Sequence, residues 1–347
     1  MVTQEQIAEK LGISRQLVTL ALAGYPQVSE KSRQRIFAAA RKMGYTPNPH
    51  ARALKGQRTG IIALWVPDQI SSHYIHVARE LNRLLKREKV ELIVSEIGTD
   101  SARQIASNVP MDGVFIVDAP ETARLYQQSA VGRPVVYLGA ERCDKMDFVQ
   151  VDLLSGTMEA MQHLIDSGFR RIAHATFIRE NRPRESRHCG YLRAMRKVKL
   201  KPEFLYYSLS EQQRPLVRSL IRDYIQKQGC PDAIFCHSDD VAIGIYRGLC
   251  DLDLNVPEEV ALVGCDGIQD CEYLETPLTT IVQPVTEMCA VAWDFLRRRV
   301  ESPKIKRQGT VLKPKLVVRK SSDKTTIQRS NEAQGRLRPA AMNGSNG

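Results

Sequence analysis

The sequence predicts an α-helical head joined to an α/β body made of two doubly wound parallel-sheet lobes. Three observations predict it. Two short helical patterns with a glycine between them fill "IAEKLGISRQLVTLALAG", Ile7 to Gly24. From Ile61 onward, apolar runs of strand length alternate with helical patterns, the mark of parallel sheets covered by helices on both faces. Charge is also segregated: residues 1–60 carry a net +7 and residues 301–347 a net +8, against −4 for residues 61–300.

In the head, Thr3 stands three residues before Gln6, the spacing of a capping box. A first helix over about Gln4–Lys10 follows, with Ile7, Ala8 and Leu11 on one face, and Gly12 permits the turn. Ser14 is a good N-cap for a second helix, about Arg15–Ala23, stopped by Gly24. Val18, Ala21 and Leu22 share its inner face. Ser29 caps a third helix through Met43, expected to turn Ile36, Phe37 and Ala40 inward, with Gly44 just past its end. The turn between the first two helices has the length of a helix-turn-helix.

"YTPNPHARALKGQRTG", Tyr45–Gly60, has the prolines, glycines and cations of a linker. "PHARALKG" within it nevertheless favours helix, and one or two isolated turns are unstable alone. A segment that orders only in company is expected. The strand candidates of the body are "GIIALWVP", "ELIVSEI", "DGVFIVD", "PVVYLG", "RIAHATF", "FLYYSL", "AIFCHS", "VALVGCD" and "LTTIVQP". Helical segments fall at Ile75–Lys89, Ser155–Ser167, Ser186–Lys197 and Asp239–Asp251. Such a number exceeds one sheet, so two lobes with a cleft between them are expected, and ligands of such folds sit at the carboxyl ends of strands. Residues after about Ser321 are polar and aperiodic, and disorder is expected there. The resulting division is 1–46 head, 47–60 hinge linker, 61–320 two-lobed body and 321–347 basic tail.

Composition excludes several classes. The 347 residues are 43% apolar, enough for real cores, with a mean hydropathy of −0.30. The longest apolar run, Ile61–Val66, is far short of the ~20 residues that span a bilayer. No basic–apolar–small leader precedes the first helix, so a cytoplasmic address is expected. The eight cysteines form no C-x-x-C pair and several sit in apolar strands, which reads as buried reduced thiols. His73 and His76 lack an obvious third metal ligand. No nucleophile-elbow, P-loop or dinucleotide fingerprint is present, so no catalytic set and no cofactor are expected. "HSDD", His237–Asp240, looks metal-like in isolation but falls where Ser and Asp cap helices.

A basic head on a mildly acidic body is the footprint of a polyanion-binding module joined to something else. In a helix-turn-helix the start of the second helix enters the major groove of duplex DNA. Here that places Arg15, Gln16, Thr19 and Leu20 against base edges: Arg suits guanine, Gln suits adenine, and the methyls suit thymine. The bland alternative is a solvated helix face. Leu54, apolar within the basic linker, is either a satellite packing contact or a wedge between base steps; Ala51 lies one turn before it.

The segment "TQEQIAEKLGISRQLVTLALAGYPQVSEKSRQRIFAAARKMGYTPNPHARALKGQRTGIIAL" resembles the head of the lactose-repressor (LacI/GalR) family of transcription regulators. The resemblance continues through "MDGVFIVD", "HLIDSGFRRIA", "SRHCGYLRAM", "PDAIFCHSDDVAIG", "VPEEVALVGCDG" and "PLTTIVQP", covering roughly residues 3–320. It implies a body similar to periplasmic sugar-binding proteins, a homodimer on operator DNA, a hinge helix with Leu54 as the lever, and a small effector between the lobes. Positions matching the family's pocket are Tyr74, Arg187 and Asp266. The chain departs from the family at Thr19-Leu20, where Ser-Arg is frequent, at Ser238-Asp239, where Asn-Asp is usual, and in the short "SARQIASNVPMDG" segment. The expected function is a dimeric repressor controlled by a sugar-like or purine-like effector, with Ser238 kept among the pocket residues. The rival is a ligand-binding or enzymatic α/β protein with a basic oligomerisation arm.

Overall fold

The computed structural model describes residues 2–22, 25–45, 57–67, 71–97, 109–128, 133–141, 143, 145–178, 185–209 and 212–323. The chain divides into two compact units, Met1–Thr59 and Gly60–Gly347.

The first unit holds three helices: α1 (Gln4–Leu11), α2 (Arg15–Leu22) and α3 (Glu30–Lys42). The capping box forms, with the Gln6 amide donating to Thr3 Oγ1 and the Thr3 amide to Gln6 Oε1. Gly12 ends α1 at φ 64°, a left-handed conformation that side chains resist. The Leu17 amide donates to Ser14 Oγ at 3.2 Å, and the Ser32 amide to Ser29 Oγ at 3.3 Å, so both expected N-caps are made. Ile7, Ala8, Val18, Ala21, Val28, Ile36 and Ala40 form the core. Gln4 ties the helices together: its amide group donates to the Tyr45 hydroxyl, and its oxygen accepts from the Thr19 hydroxyl at 2.8 Å. Phe37 corrects the expected pattern. It is 47% exposed, because a helix turns about 100° per residue and Ile36 takes the inward position.

The second unit contains two six-stranded sheets. The first has the order β11-β5-β4-β3-β1-β2, built from β1 (Ile61–Val66), β2 (Glu91–Glu96), β3 (Gly113–Val117), β4 (Val135–Gly139), β5 (Asp147–Val151) and β11 (Gly309–Leu312), all parallel. The second has the order β12-β10-β9-β8-β6-β7, from β6 (Ile172–Thr176), β7 (Glu203–Tyr206), β8 (Ala233–Cys236), β9 (Ala261–Asp266), β10 (Thr279–Val282) and β12 (Lys315–Val317). Only β12 runs antiparallel, against β10. Both faces of the central strands are covered, whereas the edge strand β2 leaves Ile93 and Val94 exposed among the described residues. In β1, Ile62 and Leu64 pack into one layer while Ala63 and Trp65 pack into the other, which is why these strands read as unbroken apolar runs.

Helices α4 (Ser72–Arg87) and α5 (Pro120–Gln128) belong to the first lobe. The second lobe carries α6 (Leu153–Asp166), α7 (Ser186–Lys197), α8 (Gln213–Gln228) and α9 (Asp239–Cys250). The last helix, α10 (Val285–Glu301), returns to pack on the first sheet. The chain therefore crosses between lobes three times: after β5, after β10 and between β11 and β12. At the first crossing Gly156 admits no side chain, since a Cβ there would stand 2.7 Å from Pro314 Cγ and 2.9 Å from Ile281 Cγ2. Near the C-terminal end of α10, Arg299 donates to the buried Asp147 carboxylate at 2.7 and 2.9 Å and holds the start of β5.

The body extends past its expected end. Ser321 and Ser322 are fully buried; the Ser321 hydroxyl donates to Leu262 O and accepts from the Thr279 amide. The tail beyond 323 and most of the hinge linker, with Ala51 and Leu54, lie outside the described residues. All eight cysteines are free thiols, and five of them are buried. Among the described residues no helix is long and apolar enough to cross a membrane.

Candidate functional site

The carboxyl ends of both sheets face a cavity of about 650 Å³ between the lobes of the second unit. Parallel βα units put each strand-to-helix turn at this end, so residues that follow the strands converge there. Tyr74, Arg187, Ser238 and Asp266 all line it.

Arg187 enters from the first turn of α7. Its Nε donates to Glu185 Oε1 at 2.8 Å, its Nη1 donates to the His237 carbonyl at 3.1 Å, and Nη1 stands 4.0 Å from Asp266 Oδ1. These bonds fix the guanidinium plane beside the cavity. Glu185 also caps α7, accepting from the His188 amide at 2.7 Å. Burial alone would raise the Glu185 carboxyl, but the Arg187 charge, with His237 and the His188 amide, holds it down to about 2.

Asp266 ends β9 with φ 127°, a conformation rare for any residue but glycine. The strain aims its carboxylate between the lobes, where Oδ1 accepts from Gln283 Nε2 at 2.9 Å. Behind it, Asp239 accepts from the Gly267 and Ile268 amides at 2.7 and 2.9 Å and from Thr280 Oγ1 at 2.6 Å. Asp239 is therefore a brace for the Asp266 loop. Burial pushes both carboxyls above the usual range, with Arg187 working against it at Asp266 and Asp266 adding to it at Asp239. The Ser238 oxygen accepts from the Val241 amide at 3.3 Å, so it caps α9 and keeps its proton and one lone pair for a ligand.

Tyr74 lies in the first turn of α4, capped by Ser71. Burial raises its phenol pKa well above the ordinary value, and Asp118 raises it further. The sequence reading missed several residues here: His73, Asp118, Tyr137, Phe177, Glu185, Tyr207 and His237. Their signal was positional. Asp118, Phe177, Tyr207 and His237 each fall at or just after the end of a predicted strand. Among the described residues His73 Nδ1, Tyr137 OH and His237 Nδ1 are buried and have no hydrogen-bond partner. Burial lowers the pKa of both histidines, so neither is charged at neutral pH. Buried polar atoms left open in a cavity are what a hydroxylated guest would satisfy.

In the first unit, Arg15 and Gln16 are exposed at the start of α2, and Arg15 Nε is 3.5 Å from Glu5. Thr19 and Leu20 are half-buried. The single proton of the Thr19 hydroxyl is shared between Gln4 Oε1 and the Arg15 carbonyl, 2.8 and 3.0 Å away, so it is not free to donate to a base. Leu20 packs against the three-helix core.

Comparisons with known proteins agree with this anatomy. Residues 3–48 match the family model "Bacterial regulatory proteins, lacI family", and residues 161–322 match "Periplasmic binding protein-like domain". The chain is 26% identical over 332 residues to the ribose operon repressor of Haemophilus influenzae, covering 92% of this chain and 98% of that one. Its fold is similar to the lac repressor dimer bound to operator and the anti-inducer ONPF, with a TM-score of 0.77, 20% identity and coverage of 92% and 99%. It is also similar to a transcriptional regulator from Enterococcus faecium with bound ribose, at a TM-score of 0.66, 22% identity and coverage of 76% and 98%.

Proposed function

The chain belongs to the lacI family of bacterial regulatory proteins, DNA-binding transcription regulators rather than enzymes, and we propose that it is a homodimeric repressor whose grip on operator DNA is set by a polyhydroxylated effector held between its two lobes. The observation that carries the effector reading is the pairing of Arg187 with Asp266. The two groups stand 4.0 Å apart, each partly committed to a fixed partner, and present donors and acceptors side by side to vicinal hydroxyls. Tyr74 and Phe177 supply the apolar wall that a sugar ring needs.

On the DNA side, Arg15 and Gln16 read base edges, while the methyls of Thr19 and Leu20 contact thymine. The hinge with Ala51 and Leu54 orders when two copies meet on the operator, and Leu54 opens the central step from the minor groove. Effector and operator favour different lobe angles, so each changes the affinity of the other by the same factor. Such a regulator works in the cytoplasm, beside its DNA. The test is a gel-shift titration with operator duplexes selected from a random pool, using wild type and Arg187→Lys. The wild-type complex responds to a sugar effector and the variant binds DNA without responding. A variant with the full response refutes the assignment of the cavity.

A further inference from the structure

Among the described residues, acidic groups outnumber basic ones at the cavity: Asp118, Glu141, Glu185, Asp240 and Asp266 line it with two guanidiniums, those of Arg187 and Arg214. Arg187 is paired with Glu185, and Arg214 with Asp240 and Asp270. Among the described residues Asp118 makes no ion pair; its carboxylate accepts from the Ala140 amide at 3.1 Å, and its own amide donates to the Leu138 carbonyl. The neighbouring histidines are neutral. Among the described residues, one carboxylate of the first lobe thus faces the cavity without a counter-ion.

Its surroundings are specific. Asp118 lies just beyond β3, at φ 46°. The adjacent strand makes room for it with Gly139, where a Cβ would stand 2.3 Å from Asp118 Oδ1 and 3.0 Å from the Tyr137 hydroxyl. Any side chain at 139 would evict the carboxylate. The Tyr137 hydroxyl, on a side chain 1% exposed, has no partner among the described residues, and neither does His73 Nδ1 at 4% exposure. The Tyr74 ring stands 5.7 Å from that of His73, all four side chains line the same cavity, and the charge of Asp118 is felt at Tyr74, Tyr137 and His73 alike. A carboxylate bordered by two phenols is suited to an ammonium group: the ion pair supplies charge neutralisation and the rings attract the cation.

We propose that the effector is an aminated polyol, of the amino-sugar class, whose ammonium group binds Asp118 between Tyr74 and Tyr137 while its hydroxyls meet Arg187 and Asp266. This rests on the reading of the cavity as the effector site.

The test uses the full chain and three matched probe series: glucosamine, galactosamine and mannosamine, their parent hexoses, and their N-acetyl derivatives. Affinity is measured by calorimetry on wild type, Asp118→Asn, Tyr137→Phe and Arg187→Lys. At least one amine binds ten-fold or more tighter than its parent and its N-acetyl form. Asp118→Asn, which keeps an acceptor for the Ala140 amide, removes that preference, and Tyr137→Phe weakens the amine. Parents that bind as well as amines, with Arg187→Lys abolishing both, overturn the ammonium subsite and leave the effector site standing. Binding that Arg187→Lys does not weaken overturns the effector reading itself. Failure of every amine to bind overturns the proposal.

Discussion

Asp240, on the second lobe, holds Ser72, on the first, through both the Ser72 amide at 2.9 Å and the Ser72 hydroxyl at 2.8 Å. Arg214 closes the clasp by donating from Nε to Asp240 at 2.8 Å and from Nη2 to Ser72 Oγ at 3.2 Å. The lobes are joined at the cavity mouth by the protein's own groups. Hydrogen bonds to a charged group contribute about 1.5–3 kcal/mol each, so the clasp biases the lobe angle by an amount comparable to allosteric coupling energies. Asp240→Ala is expected to speed hydrogen exchange of the Ser72 amide about ten-fold or more. Unchanged exchange at the start of α4 would show that the clasp does not hold the lobes.

Removing Arg187 leaves Glu185 buried without its cation, a change that costs about 3–5 kcal/mol. Arg187→Lys keeps a charge but loses the planar fork, so it is the cleaner variant. Arg187→Lys and Asp266→Asn are both expected to cut effector affinity by about 1.5–3 kcal/mol while changing operator affinity little. Calorimetry for the effector and anisotropy for the operator measure the two separately. Equal losses in both would mean that the residues hold the fold and not the ligand.

In the proposed reading, base readout divides along the second helix of the head. Arg15→Ala and Gln16→Ala are expected to relax discrimination by about 1–3 kcal/mol at particular base pairs. Thr19→Val should leave base preference nearly intact, because the hydroxyl is already used by Gln4 and the Arg15 carbonyl. Binding of a panel of single-substitution duplexes distinguishes the cases. A specificity change in Thr19→Val would mean that the hydroxyl leaves Gln4 for a base.

His174 sets part of the acid limit of stability. It is fully buried, its Nδ1 lies 3.0 Å from the Phe235 carbonyl, and Nε2 has no partner among the described residues. A carbonyl only accepts, so Nδ1 carries the proton. Burial lowers the pKa from 6.5 to about 4, with the Phe235 bond working against it. The folded pKa is below the unfolded one, so the stabilisation is complete above about pH 6.5 and is lost as pH falls through about 4, by at most about 1.4 kcal/mol per unit. Urea unfolding of His174→Phe at about pH 7.5 and about pH 5 should show a smaller acid loss than wild type. Equal losses would mean that His174 is already charged in the native state.

The long apolar strands, the helix caps and the head were legible because periodicity and capping are local. Strands β5, β11 and β12 were not. "DFVQV" interrupts its apolar pattern with Gln150, and its Asp147 is buried only because Arg299 and Gln308 reach it across the chain. "GTVL" and "KLV" sit among lysines and become strands only by pairing with distant edges. Phe37 looked like core because its neighbours are core. In the site, Arg187, Asp266 and Tyr74 were reached through resemblance, whereas Asp118 and Tyr137 needed coordinates. Nothing local in "PVVYLG" shows that Gly139 vacates space for a carboxylate from the adjacent strand.

The central claim, that this chain is an operator-binding regulator, is tested most directly by measuring affinity for a selected duplex and a scrambled one as salt is raised from about 50 to 200 mM. Ten Lys and Arg stand in residues 1–60, doubled in a dimer. With on the order of 6–10 phosphate contacts, the log–log slope should fall between about −5 and −9, and the selected duplex should bind at least about 1,000-fold tighter. A slope near zero, or equal affinity for both duplexes, would contradict it.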